Sequence, residues 1–190
     1  MNYRVLQKNS YRQNSYQLVP LREDDLTDIM KWRNDQIDVL RQNKPLTAED
    51  QKRYYQNAIL PSYSEENPKI ILFSFLLNNK CIGYGGLTNI DWPSKRAELS
   101  FLLDTARIMD EQAYTEDFTN YLDLIKTILF NDLMFNRLFT ETFDIRPLHI
   151  SILEAAGFKK EGQMKEHVMI KNKYVDSIIH GILRSDYVQK

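Results

Sequence analysis

The sequence predicts a mixed α/β (α+β) fold, with helices covering a mostly antiparallel sheet. Three observations point there. Short alternating apolar runs recur between Lys69 and Leu103 and return after Arg137. Turn signals separate them at Asn78-Asn79-Lys80 and Lys171-Asn172-Lys173. Between the two groups of strands, Phe118, Tyr121, Leu122, Ile125, Ile128 and Leu129 recur at helical spacing.

In chain order, Tyr3 to Leu6 is expected as a short edge strand, and Tyr16 to Leu21 as a strand stopped at Pro20. Arg22-Glu23-Asp24-Asp25 opens a helix, because acidic residues in a first turn oppose the positive end of the helix dipole. Thr47 and Asp50 have the spacing of a capped helix start, running to about Ile59. Leu60 to Pro68, with two prolines, is a surface loop. Lys69–Leu77 and Cys81–Leu87 form a hairpin, and Ala97–Leu103 adds a strand. Alternation places Glu98, Ser100 and Leu102 on one face of it, and Leu99, Phe101 and Leu103 on the other. The long helix is expected over Thr115 to Leu133, followed by a strand at Arg137 to Phe143. Pro147 suits the first position of a helix and Gly157 its end. Lys165–Ile170 and Tyr174–Leu183 close the chain as a hairpin.

Composition narrows the functional classes. The formal charge of -1 leaves no basic excess to displace counterions, so no nucleic-acid or anionic-membrane partner is expected. Cys81 is the one cysteine, which rules out an intrachain disulfide and suits a reducing cytoplasm. It stands in an apolar run and reads as a small buried hydrophobe. Three scattered histidines have no metal-ligand spacing, so no metal is expected. No apolar run has the length of a membrane span, and Met1 to Leu6 lacks the apolar core of a signal peptide. With no repeat or linker, residues 1–190 are expected to be one domain with its core at about 16–187, acting as a monomer or homodimer.

Several motifs, in order, resemble the GNAT superfamily of acyl-CoA N-acyltransferases. Trp32-Arg33-Asn34 is similar to the Trp-Arg-Asn of a branch that acetylates amino sugars and related amines. Cys81 to Asp91 resembles the family's third strand and the turn after it, and Ala97 to Phe101 the fourth strand. Ser151 to Phe158, followed by Glu161-Gly162, is similar to its helix ending in Gly-Phe with a Glu-Gly pair. Tyr174 to Ser177 with Gly181 to Leu183 resembles the last strand. A ribosomal-protein-type acetyltransferase is the other branch considered.

The resemblance implies transfer of acetyl from acetyl-CoA, as co-substrate, to a small-molecule primary amine, with a nucleotide-linked amino sugar as the preferred acceptor and a protein N-terminal amine or a small polyamine as the alternatives. The amine must lose a proton before it attacks, and the thioester carbonyl needs a hydrogen-bond donor. Glu98 is the candidate base, against a structural ion pair with Arg96 or Lys95. His149 is a candidate acid or CoA contact, against a capping or surface histidine. Phe101, Leu102 and Leu103 would hold the thioester arm. Gln112, Ala113, Tyr114, Thr115 and Arg146 would meet its phosphate end. Trp32, Arg33, Asn34, Arg41, Tyr84 and Asn89 are candidates for the acceptor side.

The chain departs from the family's pattern in two places. Arg107 to Asp117, where glycines usually expose backbone amides to the pyrophosphate, contains no glycine and carries Asp110, Glu111, Glu116 and Asp117. Arg146, His149 and Leu153 stand where an Asn, a Ser and a thiolate-protonating Tyr are often found. These departures motivate the alternative of a non-catalytic module that keeps the fold and has lost CoA.

Overall fold

The computed structural model describes residues 2–188. Eight strands form one sheet in the order β1-β2-β3-β4-β5-β6-β8-β7. They are β1 Tyr11–Gln13, β2 Tyr16–Pro20, β3 Ile71–Leu77, β4 Lys80–Asp91, β5 Arg96–Leu103, β6 Arg137–Phe143, β7 Lys159–Ile170 and β8 Lys173–Leu183. Every neighbouring pair is antiparallel except β5 and β6. The mixed, mostly antiparallel sheet flanked by helices is therefore the architecture expected.

The turns follow their residues. Asn78 and Asn79 take positive φ of 50° and 67° between β3 and β4, and Lys171 and Asn172 take 48° and 60° between β7 and β8. Asparagine reaches this region more readily than most residues, and tight hairpin turns require it.

Helix α1 spans Leu26–Asp35, after a 3-10 turn at Glu23–Asp25. Helix α2, Ala48–Tyr54, starts with the predicted capping box, in which Thr47 and Asp50 satisfy each other's backbone N–H. It continues through a π-helical stretch, Tyr55–Ile59, into the short helix α3, Leu60–Ser62. The loop expected from Leu60 therefore starts after α3. Helix α4 is Thr105–Ile108 and helix α5 is Glu111–Thr127, extended by a π turn at Ile128–Asp132. Helix α6, Pro147–Ala155, has Pro147 in its first turn as expected, and α7 is Arg184–Val188.

Two expectations need correction. Tyr3 to Leu6 is irregular chain, because the buried Tyr3 hydroxyl both donates to Leu72 O and accepts from Leu72 N. A side chain thus takes the β3 contact that an edge strand would have made. The edge strand is instead β1, three residues long and too short to show a period. Helix α5 begins at Glu111, four residues before Thr115, because the Asp110 carboxylate accepts from the amides of Gln112 and Ala113, each at 3.0 Å.

Helix α5 packs on the sheet face that carries Phe75 and Phe101. Phe101 stacks on Phe118, and Tyr121 packs against both sheet phenylalanines. The Tyr121 hydroxyl donates to Ser100 O at 2.6 Å. Gly85 makes that possible, since a Cβ there would lie 2.4 Å from the hydroxyl and 2.2 Å from Ser100 O. Helix α1 covers the opposite face, where Arg33 donates to the Tyr84 hydroxyl.

Candidate active site

Strands β5 and β6 pair over only three residue pairs, Arg96↔Arg137, Ala97↔Leu138 and Glu98↔Phe139. Beyond Glu98, β5 stays with β4 as far as Leu103, while β6 stays with β8 as far as Phe143. The two strands fork, and the space between them is a slot of about 220 Å³. Glu98, Ser100 and Phe101 line one arm. Thr140, Glu141, Thr142 and Phe143 line the other, and Arg146 and His149 close the far side.

The slot adjoins two open grooves. The first, about 450 Å³, shares Val39, Arg146 and His149 with the slot and runs past Tyr114 to Glu111, Asp35 and Asp38. The second, about 590 Å³, shares Leu40, Arg41 and Phe143 with the slot and runs beneath Val168 to Lys171 of the closing hairpin.

Glu98 is nearly buried at the fork, and its partner is neither Arg96 nor Lys95. Arg41 donates to Oε1 through Nη2 at 2.6 Å and to Oε2 through Nη1 at 3.4 Å, and Asn89 Nδ2 also donates to Oε2. Arg96 pairs with Asp91 instead. Arg41 Nη2 also donates to Glu141 on β6 at 2.8 Å. One guanidinium therefore bridges two carboxylates, one from each arm. Sequence reading missed Glu141, which lies 100 residues from Arg41 and has no local signature.

At the other end, Tyr114 and His149 meet through the phenol oxygen and Nδ1 at 2.7 Å, and Arg146 Nη2 donates to the same oxygen at 3.0 Å. The direction of the Tyr114–His149 bond follows the imidazole tautomer: with the neutral ring protonated on Nε2, Nδ1 accepts the phenol's proton. Burial, and secondarily the nearby Arg146 charge, holds the His149 pKa well below its ordinary value near 6.5. Burial raises the Tyr114 hydroxyl, and Arg146 partly offsets that. His149 is thus a buried neutral group stacked on Phe118 at 4.2 Å, and not a surface residue.

The remaining predicted residues separate by position. Phe101 lines the slot, whereas Leu102 and Leu103 are buried outside it, and Leu103 O accepts from Gln36 Nε2. Gln112, Ala113 and Thr115 line neither slot nor donor-side groove. The first two amides are held by Asp110, and the Thr115 hydroxyl donates to Glu111 O. Arg107 is tied to the fully buried Asp117, which also accepts from Tyr16. Trp32 is a core residue. Asn34 staples the loop that carries Arg41, through both Leu46 backbone groups and Gln42, while Arg33 holds Gln42 and Tyr84. Tyr84 is buried beneath Arg33, and Asn89 faces Glu98. Cys81 is buried, and burial pushes its thiol up to about 12, so it is no nucleophile. Among the described residues, no group of three metal-ligating side chains comes together, and no helix is long and apolar enough to cross a membrane.

A sheet forked between two parallel strands, with helices on both faces, is the architecture of acyl-CoA N-acyltransferases. The family profile described as an acetyltransferase (GNAT) domain matches residues 18–179. The chain belongs to that family and is an enzyme of the acetyltransferase class. Among solved structures, it resembles a spermidine N-acetyltransferase from Vibrio cholerae in complex with CoA and spermine, with a TM-score of 0.79 and 18% identity over 93% of this chain and 99% of that one. Mutant forms of the spermidine/spermine N-acetyltransferase SpeG from the same organism match with a TM-score of 0.76 and 19% identity, over 93% of this chain and 98% of theirs. At such identities the likeness establishes the fold alone. No curated protein matches the sequence.

Proposed function

We propose that the chain transfers acetyl from acetyl-CoA to a primary amine that is cationic in solution. The observation that carries this reading is the fork, which has a carboxylate on each arm at one end and a buried Tyr114–His149 pair at the other.

The thioester arm fits the slot between β5 and β6, with Phe101 and Phe143 as its apolar walls. Its phosphate end would enter the groove past Arg146, the one basic side chain lining it, among Asp35, Asp38 and Glu111. That lining and the Asp110 cap make a poor phosphate cradle, so donor affinity is expected to be modest.

In the reaction, the amine nitrogen bonds to the acetyl carbonyl carbon and the carbon–sulfur bond breaks. Glu98, directly or through a water, takes the proton the amine must lose. Tyr114, which lines the adjoining donor-side groove and is backed by His149 and Arg146, is the proposed source of the proton that the departing sulfur takes up. The usual position for that acid holds Leu153, whose side chain is fully buried.

Facing carboxylates favour a polyamine over a nucleotide-linked amino sugar, whose phosphates they would repel. The likeness to spermidine acetyltransferases supports the same acceptor class. Thiol release from acetyl-CoA, followed with spermidine, spermine, a nucleotide-linked amino sugar and a peptide N-terminus, tests the reading. Turnover with the polyamines is expected. Release no faster than hydrolysis for every amine would overturn it.

A further inference from the structure

Arg41 occupies the place that a cationic acceptor needs. We infer that it is the site's own cation, a surrogate that a di- or polycationic amine must displace to reach the slot. The inference rests on the proposed acetyl transfer to an amine and adds the residue that selects for charge.

Position supports it first. Arg41 lines both the slot and the outer groove beneath the closing hairpin, so its guanidinium stands between the two cavities. A ligand arriving from the outer groove meets Arg41 before it meets Glu98.

Mobility supports it next. The Glu98 and Glu141 side chains are 8% and 15% exposed, whereas that of Arg41 is 52% exposed. The carboxylates are fixed on strands, and Asn89 holds Glu98 from the other side. The loop that carries Arg41 is held at the Gln42 side chain by Arg33 and Asn34, and at the Leu46 backbone by Asn34. Release therefore needs no loop opening, only rotation of one long side chain toward water.

Charge then selects the occupant. With Arg41 in place, the two carboxylates and one guanidinium sum to -1. With Arg41 swung out, the two carboxylates alone hold -2 in a poorly solvated cleft; Arg33 and Arg146 also line it but are bonded to Gln42, Tyr84 and Tyr114, and His167 Nε2 lies 3.5 Å from Glu141. A monocation leaves one carboxylate unmatched, whereas a ligand with two or more ammonium groups matches both. Until such a ligand arrives, Arg41 closes the acceptor opening and keeps bulk water from the thioester's position.

Equilibrium titration of the full chain without an acetyl donor tests this, using spermidine and n-butylamine as probes. Arg41→Ala is expected to bind spermidine about tenfold more tightly than the parent, or about 1.4 kcal/mol, and n-butylamine less than about threefold more tightly. Adding Glu141→Gln to Arg41→Ala should remove the gain. If Arg41 is only a clamp, Arg41→Ala will bind spermidine equally or more weakly, and that result overturns the inference. So does the absence of spermidine binding at millimolar concentration in both proteins. Should Arg41→Ala fail to fold, Arg41→Gln keeps hydrogen-bond donors without the charge and gives the same reading. Because no donor is present, failure of acetyl transfer leaves the titration readable. Robust acetyl transfer with no effect of Arg41 on cation binding would sink this inference alone.

Discussion

The start of α5 and the acceptor end of the slot are each occupied by the chain's own charged side chains, in opposite senses. At the donor end, Asp110 sits on the helix amides where an anionic ligand would be held. At the acceptor end, Arg41 sits on the carboxylates where a cationic ligand would be held. The difference lies in what each surrogate does for the fold. Asp110 caps α5, so removing it costs helix stability. Arg41 caps no helix; it links Glu98 and Glu141 through its side chain alone, which is half in water. One end is occupied by architecture and the other by a movable side chain.

The largest expected effect is at Asp117, which immobilises Arg107 beside the donor end. Asp117→Ala removes a fully buried carboxylate and leaves the partly exposed Arg107 guanidinium and the Tyr16 hydroxyl unpaired, and should cost about 3 kcal/mol in denaturant unfolding. A loss under about 1 kcal/mol would show that Arg107 is free to serve a ligand. Next is Glu98→Gln, which removes the base while leaving Arg41 and Asn89 a polar partner. A fall in kcat of about a hundredfold or more is expected, and unchanged turnover would remove Glu98 from the chemistry.

The third effect depends on pH. The folded protein holds His149 neutral below its ordinary value near 6.5. Between that value and the lower folded one, the unfolded chain carries the extra proton. Stability is therefore full above about pH 6.5 and falls on acidification, by up to about 1.4 kcal/mol per pH unit from this group. In melts across pH 4.5 to 7.5 (a range set about the His value), His149→Gln should flatten that slope, and an unaltered slope would place the titration elsewhere. The smallest effect is Asp110→Asn, which keeps a cap and removes the charge. CoA binding is expected to tighten about threefold with little change in stability. Weaker binding would mean that the carboxylate does not compete with the phosphates.

Much of the fold was legible because its signals are local. The capping box at Thr47, the asparagine turn between β3 and β4 and the alternation along β5 each lie within a few residues. The start of α5 was misplaced although its cap is local too, because Asp110 was weighed as a charge near a phosphate and not as a hydrogen-bond acceptor. At the site, Glu98 and His149 drew attention by residue type and position. Their pairings were not legible: Arg41 and Tyr114 stood out for separate roles and Glu141 not at all, since the three reach Glu98 and His149 only after the sheet has forked and α5 and α6 have docked. The polar members of the Trp32-Arg33-Asn34 motif hold the loop that delivers Arg41, and Arg33 also lines the slot.

The seam between β5 and β6 has a consequence for native-state hydrogen exchange. Only three residue pairs join a five-stranded portion to a three-stranded one. Along Leu99 to Leu103 and Thr140 to Phe143, the amides turned into the fork have no strand opposite them, while those turned outward are locked in ladders. Protection should therefore alternate residue by residue along both arms and become continuous only at Ala97 and Leu138.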